Sequence, residues 1–182
     1  MKLKLRKCHI AKREVQYLGH RVSSAGISMV KEYIERILAW PSPRTPADLR
    51  SFLGVAGYYR AFIPWYAKLA APLDGIKNKR TLEWGEDHEE QFQQLKKAFV
   101  SAPIRHFPDF STGAGQFVLD TDWSASAKAA VLYQEGPEPE RELRFIGAAA
   151  AKCSQVESNY PSLKGELAAL VMNSGNLSTC CS

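Results

Sequence analysis

The proline-flanked segment 40–64 constrains the fold most, because it contains both a helix stop and a fully specified helix start. Pro41 and Pro43 end any helix before them, since proline lacks an amide hydrogen and restricts the residue that precedes it. Thr45 is a favourable N-cap, a proline follows at the first helical position, and Asp48 completes a capping box. The helix is expected to continue until Pro64 stops it. Apolar residues recur at helical spacing and predict one buried face: Leu49, Phe52, Leu53 and Ala56.

Further helices are predicted on both sides of this segment. Val30–Trp40 precedes it, Trp65–Leu73 follows it, and Asp87–Ser101 forms an amphipathic helix. Glu157–Met172 is also predicted to be helical. The apolar residues expected to pack are Val30, Ile34, Ile37 and Leu38 in the first of these helices, Phe92, Leu95 and Phe99 in the third, and Leu163, Leu167, Leu170 and Val171 in the last.

Strands are predicted near both ends of the chain. Met1–Ile10 alternates basic and apolar residues, and Glu14–Ser28 has the pattern of a hairpin or short strand pair with Gly26 in a turn. Three more strands follow the helical region: Gln116–Trp123, Ala129–Tyr133 and Leu143–Gly147. Strands, then helices, then strands with a helix indicate an α+β chain.

The bulk properties are those of an ordinary globular protein with a basic charge. The 182 residues allow one or two domains with a real core, and 45% hydrophobic with 24% charged residues is a typical composition. A net charge of +5 and a pI of about 9.0 suit an anionic partner such as nucleic acid, without requiring one. The four cysteines lack metal-ligand or redox spacing and predict free thiols, and nothing approaches membrane-spanning length. We therefore expect a cytoplasmic or nuclear location and no membrane contact.

Several short motifs occur in a fixed order, and together they carry a family resemblance. They resemble the segment that follows the polymerase palm in reverse transcriptases of gypsy-like long-terminal-repeat retrotransposons, over roughly residues 4 to 172. An unrelated helical domain with chance matches is the alternative. The matching motifs are Tyr17–His20, Trp40-Pro41, Leu49–Gly54, Gly57–Arg60, Phe62–Pro64, Ala71–Leu73, Thr121-Asp122 and Glu157–Tyr160.

The resemblance implies five parts. Residues 1–28 are expected to contain the end of a palm and a primer-grip-like hairpin, and 29–101 a small thumb-like helical bundle. Residues 102–115 are expected to form a linker, and 116–172 a partial RNase H-like α/β domain with three strands and the first helix only. We expect residues 173–182 to form a tail without likeness to the family.

A thumb grips an RNA–DNA hybrid by neutralising phosphates, without base recognition. The resemblance therefore implies nucleic-acid contacts by four basic residues, Arg44, Arg50, Arg60 and Lys68, and by Tyr17 and Gly19 of the hairpin. The alternative for each basic residue is a solvated surface charge. The alternative for the hairpin is a purely structural role.

The same resemblance implies a carboxylate site. RNase H cleavage uses two divalent ions about 4 Å apart, held by hard oxygen ligands. The family's first two ligands correspond to Asp122 and Glu166, with Mg²⁺ or Mn²⁺ as the cofactor, and its other two aspartates come later than this sequence extends. We therefore expect weak metal binding and no turnover by this chain alone. The alternatives are a strand-end turn residue for Asp122 and an exposed helix charge for Glu166.

The leading interpretation is a fragment of a retrotransposon RNA-directed DNA polymerase and RNase H. A non-catalytic nucleic-acid-binding or interaction module is the alternative, and the product of a truncated gene is a third. Trp123 departs from the family, which has an alanine after the aspartate. The strand Gln116–Trp123 is expected to be an open sheet edge, which would favour self-association.

Overall fold

Two three-stranded antiparallel sheets are joined by a helical region in the computed structural model, which describes residues 12–137, 139 and 141–178. This arrangement confirms the predicted fold class; the predicted strand Met1–Ile10 lies outside the described residues. No helix within them is both long enough and apolar enough to cross a membrane. In chain order the elements are β1 (Glu14–Tyr17), β2 (His20–Ser23), β3 (Gly26–Met29), α1 (Lys31–Leu38), α2 (Pro46–Tyr58), α3 (Tyr66–Ile76), α4 (Glu86–Val100), β4 (Phe117–Trp123), β5 (Ala127–Glu135), β6 (Leu143–Lys152) and α5 (Ser162–Ser178).

The N-terminal sheet is a meander in the order β1-β2-β3, so the predicted hairpin has one more strand than expected. Leu18 and Gly19 both have positive φ, 48° and 81°, which is the geometry of a tight hairpin turn. Gly26 was predicted to lie in a turn, but it is the first residue of β3 and is paired with Ser23; the turn itself is residues 24–25, and Gly26 leaves it with φ of 131°.

The helical region has one apolar core, and α2 is its centre. The predicted capping box is confirmed: the Asp48 amide donates to Thr45 Oγ1 at 3.2 Å, and the Thr45 amide donates to Asp48 Oδ2 at 2.9 Å. The predicted apolar face of α2 is buried throughout, and so is that of α4. These residues are Leu49, Phe52, Leu53 and Ala56 in α2, and Phe92, Leu95 and Phe99 in α4.

Two details of the helical prediction are wrong. Leu38 is 42% exposed, because α1 ends there and its neighbour Ile37, 1% exposed, is the residue of the last turn that enters the core. The helix expected to run up to Pro64 ends at Tyr58, and a short 3₁₀ turn, Arg60–Phe62, replaces its last part. This turn buries Phe62 against the core.

The segment predicted as a linker is paired with both sheets. The Arg105 amide donates to the Ile27 carbonyl at 2.9 Å and the Ile27 amide donates to the Arg105 carbonyl at 2.8 Å. The Arg105 Nε donates to the Ile146 carbonyl at 3.1 Å, and the next amide, His106, donates to the Phe145 carbonyl. One short stretch of chain therefore ties β3 to β6.

The second sheet has the order β4-β5-β6, so β4 is an edge strand among the described residues, as expected for this segment. In the register of β4 on β5, Asp122 is opposite Ala129 and Trp123 is opposite Lys128. Small side chains lie where β5 begins and β6 ends, which allows helices to approach this end of the sheet closely.

The last helix differs from the prediction in position and in the face it buries. It begins at Ser162, because a 3₁₀ turn, Glu157–Asn159, and Pro161 precede it, and it continues to Ser178. The leucines expected to pack are exposed, Leu163 by 75%. Gly165 and Ala169 are buried instead, since this small face is the one that meets β4 and β5.

Candidate nucleic-acid interface and carboxylate site

The end of β4 presents two neighbouring residues to different helices. Successive side chains of a strand point to opposite faces of its sheet. The Asp122 carboxylate faces α3, where Lys68 Nζ lies 3.3 Å from Oδ2. Trp123 faces α5, where its indole ring packs against Gly165. The strand end is therefore held between α3 on one side and α5 on the other.

The ion pair between Lys68 and Asp122 brings together residues that the sequence assigned to two separate sites. Lys68 was predicted to contact nucleic acid, and Asp122 to hold a metal ion. The Lys68 side chain is 71% exposed and that of Asp122 is 40% exposed, so water screens the attraction between them. The pair crosses from the helical region to the second sheet without being buried.

Glu166 follows the glycine on which Trp123 packs, at the start of α5. It is partly exposed, and α5 reaches β4 through the Trp123 contact. The structure thus places Glu166 and Asp122 on adjoining elements, each next to a residue of the Trp123–Gly165 contact. Their joint role in one metal site stays a prediction.

The described residues do not by themselves fit a metal centre. Within them, no group of three or more His, Cys, Asp or Glu side chains is arranged to hold an ion. The cation next to Asp122 is the Lys68 ammonium. Two carboxylates alone bind Mg²⁺ weakly, because this ion keeps several waters and needs near-octahedral oxygen ligands.

A second, less exposed ion pair holds the segment that precedes α5 against β5. Lys128 of β5 donates to Glu157, and these side chains are only 11% and 21% exposed. The Ser154 amide donates to the other Glu157 oxygen at 2.8 Å. These hydrogen bonds, Lys128 first, lower the pKa of Glu157 to about 2. Sequence reasoning missed this role, although Glu157 begins one of the family motifs.

The other three predicted basic contacts lie in different surroundings. Arg44, Arg50 and Arg60 are all exposed, as a phosphate contact requires. Arg50 Nη1 already donates to the Lys77 carbonyl at 2.9 Å, which holds the end of α3 against α2. Their nucleic-acid contacts stay predictions.

The hairpin turn at Leu18 and Gly19 is anchored to the end of α2. Tyr58 Oη donates to the Leu18 carbonyl at 2.8 Å, and Tyr59 Oη donates to the Gly19 carbonyl at 3.4 Å. A β-carbon at Gly19 would collide with Tyr59 Oη, so this glycine has a structural reason to be there. Tyr17, beside the turn, is exposed and available to a partner.

His20, which directly follows this turn, packs against aromatic side chains of the helical region. Its ring stacks on Tyr58 and Phe62, with centroids 5.4 and 5.3 Å away. Burial, followed by the nearby Arg105 guanidinium, lowers the pKa of His20. The sequence motif Tyr17–His20 therefore includes a packing residue that the sequence alone had not singled out.

Comparison with known proteins gives one family match. Residues 84–179 match the family model described as the RNase H-like domain found in reverse transcriptase. This match covers α4, the second sheet and α5, and therefore more than half of the chain.

Curated relatives are similar over nearly the whole chain. The chain is 38% identical over 173 residues to the retrovirus-related Pol polyprotein from transposon 297 of Drosophila melanogaster, covering 94% of this chain and 15% of that protein. It is 32% identical over 167 residues to the transposon Tf2-3 polyprotein of Schizosaccharomyces pombe, covering 91% and 12%. The chain thus spans less than one sixth of the length of these relatives.

A solved structure shares the fold. The foamy viral protease–reverse transcriptase in complex with an RNA/DNA hybrid superposes with a TM-score of 0.76, over 97% of this chain and 23% of that chain. Sequence identity is 20%, so the likeness concerns the fold alone. Since 97% of this chain is covered, the likeness includes both the helical region and the second sheet.

Proposed function

The chain belongs to the family of RNase H-like domains found in reverse transcriptases, and on this premise we propose that it is the thumb-like and RNase H-like part of the polymerase of a gypsy-like long-terminal-repeat retrotransposon. The observation that carries the proposal is the continuity of the fold. Arg105 joins the N-terminal meander to the second sheet, and Lys68 joins α3 to β4. We propose the boundaries 1–28, 29–101, 102–115, 116–172 and 173–182 for its parts.

The proposed ligand is an RNA–DNA hybrid, gripped through its phosphates. The likeness to a reverse transcriptase solved with such a hybrid supports this choice, as does the positive net charge. Arg44, Arg50, Arg60 and Lys68 are the proposed phosphate contacts, with Tyr17 and Gly19 at the hairpin. Each phosphate contact adds to the salt dependence of binding.

Binding is tested with a labelled hybrid at several salt concentrations. Charge reversal of Arg50 and Arg60 together is expected to reduce the slope of log affinity against log salt by about 2. Reversal of Lys31 and Lys97, two exposed residues of α1 and α4, changes the net charge equally and is the matched control. An unchanged slope for the first pair would remove both arginines from the interface.

For the carboxylate site, we propose that Asp122 and Glu166 are two of the ligands of a Mg²⁺ or Mn²⁺ pair. Such ions would activate water and stabilise the leaving oxygen. Because the described residues supply no larger ligand group, we expect no cleavage of a hybrid by this chain alone. Cleavage in Mg²⁺ or Mn²⁺ that Asp122→Asn abolishes would show that the chain is active.

A non-catalytic binding module is the second candidate. The Lys68–Asp122 ion pair favours it, because the proposed metal ligand already has a cationic neighbour. Hybrid binding with no binding of Mg²⁺ or Mn²⁺ at Asp122 would support this candidate over the first. We also propose self-association through the edge of β4, which measurement of the mass in solution tests.

A further inference from the structure

We propose that the cleft between α3 and the end of the second sheet seats a phosphodiester group of the nucleic-acid backbone, held by Arg60 on one side and Lys152 on the other. This inference rests on the proposed function, because it extends the phosphate contacts assigned there from the helical region onto the second sheet. It adds Lys152, which none of the sequence motifs contains, to the residues that bind the hybrid.

The cleft lies where the helical region meets the second sheet, and its volume is about 430 Å³. The register of β5 on β6 places Ala127 opposite Lys152, so the cleft opens at the end of this strand pair. An apolar surface with a few polar groups at its edge is the usual form of a ligand site. Most of the wall consists of small side chains, which let a bulky sugar–phosphate chain come close to both backbones. These residues are Ala67, Ala70 and Ala71 of α3, Ala127 of β5, and Ala150 and Ala151 of β6.

Two cations from different parts of the chain line this cleft. Arg60 belongs to the 3₁₀ turn that follows α2, and Lys152 is the last residue of β6. Both residues are exposed, so their charged groups can reach a ligand in the cleft. Guanidinium and ammonium groups bind phosphate oxygens through charge-assisted hydrogen bonds. A phosphodiester in the cleft would therefore be bound from the helical region and from the sheet at once.

A carboxylate, Asp74, also lines the cleft, and its charge is balanced by the lysine that follows α3. Lys77 Nζ lies 2.7 Å from Asp74 Oδ1, and the two side chains are 31% and 25% exposed. Lys152 Nζ is 3.7 Å from Asp74 Oδ2, and its side chain is 69% exposed. This longer and more exposed contact contributes little to stability, so Lys152 can exchange Asp74 for a phosphate. With Arg60 and the two lysines around one carboxylate, the cleft keeps an excess of positive charge.

The cleft is continuous with the phosphate contacts already proposed in the helical region. Arg60 belongs to both sets. Arg50 Nη1 donates to the carbonyl of Lys77, the residue that pairs with Asp74. A backbone that follows these groups can pass from α2 across α3 to the second sheet while it stays beside positive charge. Such contacts position a nucleic acid without reading its sequence.

The test is binding of a labelled RNA–DNA hybrid by the full chain, measured at several salt concentrations. Lys152→Gln is expected to reduce the slope of log affinity against log salt by about 1, because one phosphate contact is lost. Lys152→Arg keeps the charge and should retain the wild-type slope. Lys97→Gln is the matched control, because Lys97 is an exposed lysine of α4 and loses the same charge. Urea denaturation checks that each variant is folded.

A second measurement locates the ligand and distinguishes a nucleic acid from a free phosphate ion. The amides of Ala127 and Lys152 are followed by NMR during titration with the unlabelled hybrid and, separately, with inorganic phosphate. Saturable shifts are expected at far lower concentrations of the hybrid than of phosphate, because the cleft is then one of several contacts made by a longer ligand.

The outcomes separate this inference from the proposed function. An unchanged slope in Lys152→Gln, together with a reduced slope after charge reversal of Arg50 and Arg60, would overturn the role of the cleft but keep the proposed interface. An equal reduction in Lys152→Gln and Lys97→Gln would reduce the effect to net charge and overturn the inference. Saturation at lower concentrations of phosphate than of the hybrid would assign the cleft to a free ion and also overturn it. A hybrid that does not bind the wild type would contradict the proposed function and the inference together.

Discussion

The indole ring of Trp123 occupies the space in which Gly165 lacks a side chain: a β-carbon at position 165 would collide with Cδ2, Cε2 and Cε3 of the ring. This contact decides which face of α5 lies on the sheet. A helix that must place a glycine over an indole buries its small residues, here Gly165 and Ala169. The leucines of α5 are left on the outer face as a consequence.

The substitution Gly165→Ala should therefore destabilise the chain. Overpacking a close contact costs about 1–3 kcal/mol, whereas the higher helix propensity of alanine over glycine stabilises the folded chain by up to about 1 kcal/mol. We expect a net loss in the free energy of unfolding, measured by urea denaturation. Adding Trp123→Ala to Gly165→Ala should cost less than the sum of the two single changes, because the collision disappears.

Gly54→Ala is the control for this prediction. Gly54 also lies inside a helix, α2, but nothing is within 4 Å of its missing β-carbon. Gly54→Ala should raise the free energy of unfolding by about 0.4–1 kcal/mol. If both alanine variants were stabilised equally, Trp123 would not be in contact with Gly165.

The Glu157–Lys128 pair predicts a pH effect on stability. The pKa of Glu157 is lowered from 4.5 to about 2 in the folded chain, chiefly by the hydrogen bond from Lys128. The stability that Glu157 contributes is therefore fully present above pH 4.5 and is lost as the pH falls from 4.5 towards 2. Glu157→Gln should flatten the fall in unfolding free energy over this window.

Glu142→Gln provides the comparison, since Glu142 is exposed and lies outside this cluster. Above pH 4.5 the Glu157→Gln variant should also be less stable than the wild type, because Lys128 keeps its charge at a poorly exposed site without a carboxylate partner. Parallel pH profiles for the wild type and Glu157→Gln would contradict the assignment.

The capping box of α2 gives a third prediction. Thr45→Ala should lower the free energy of unfolding by about 1 kcal/mol, since the Asp48 amide loses its side-chain acceptor. Thr45→Ser should keep most of that free energy, because the hydroxyl remains. Ser51→Ala, inside the same helix, removes a hydroxyl that donates to the Ala47 carbonyl and should have little effect.

The order of helices and strands could be predicted because it depends on local signals. The cap at Thr45 and the spacing of Leu49, Phe52 and Leu53 act over a few residues, and each is confirmed. The face of α5 could not be predicted in the same way. Leucine spacing favoured burial, but the partner surface on β4 carries Trp123, and only a glycine fits against it.

The candidate site was predictable as a set of residue types but not as an arrangement. The motif containing Asp122 pointed to a carboxylate at a strand end, and the structure confirms this position. Its ion pair with Lys68 joins positions far apart in sequence, which no local pattern encodes. The sequence did contain a signal for the contact between β4 and α5: a large side chain at Trp123 and a residue without a side chain at Gly165.

Gly26 gives the last prediction, on the joint between the two sheets. Its φ of 131° is unfavourable for other residues, and a β-carbon there would collide with the carbonyl oxygen of Arg105. Gly26→Ala must therefore displace the strand pairing of Ile27 with Arg105, and we expect a loss of about 1–3 kcal/mol in addition to the backbone strain. Gly113→Ala isolates that strain, because Gly113 has φ of 94° and nothing within 4 Å of its missing β-carbon. Hydrogen exchange at the Ile27 and Arg105 amides should quicken in Gly26→Ala alone; equal exchange in both variants would show that the close approach of Arg105 does not hold the sheets together.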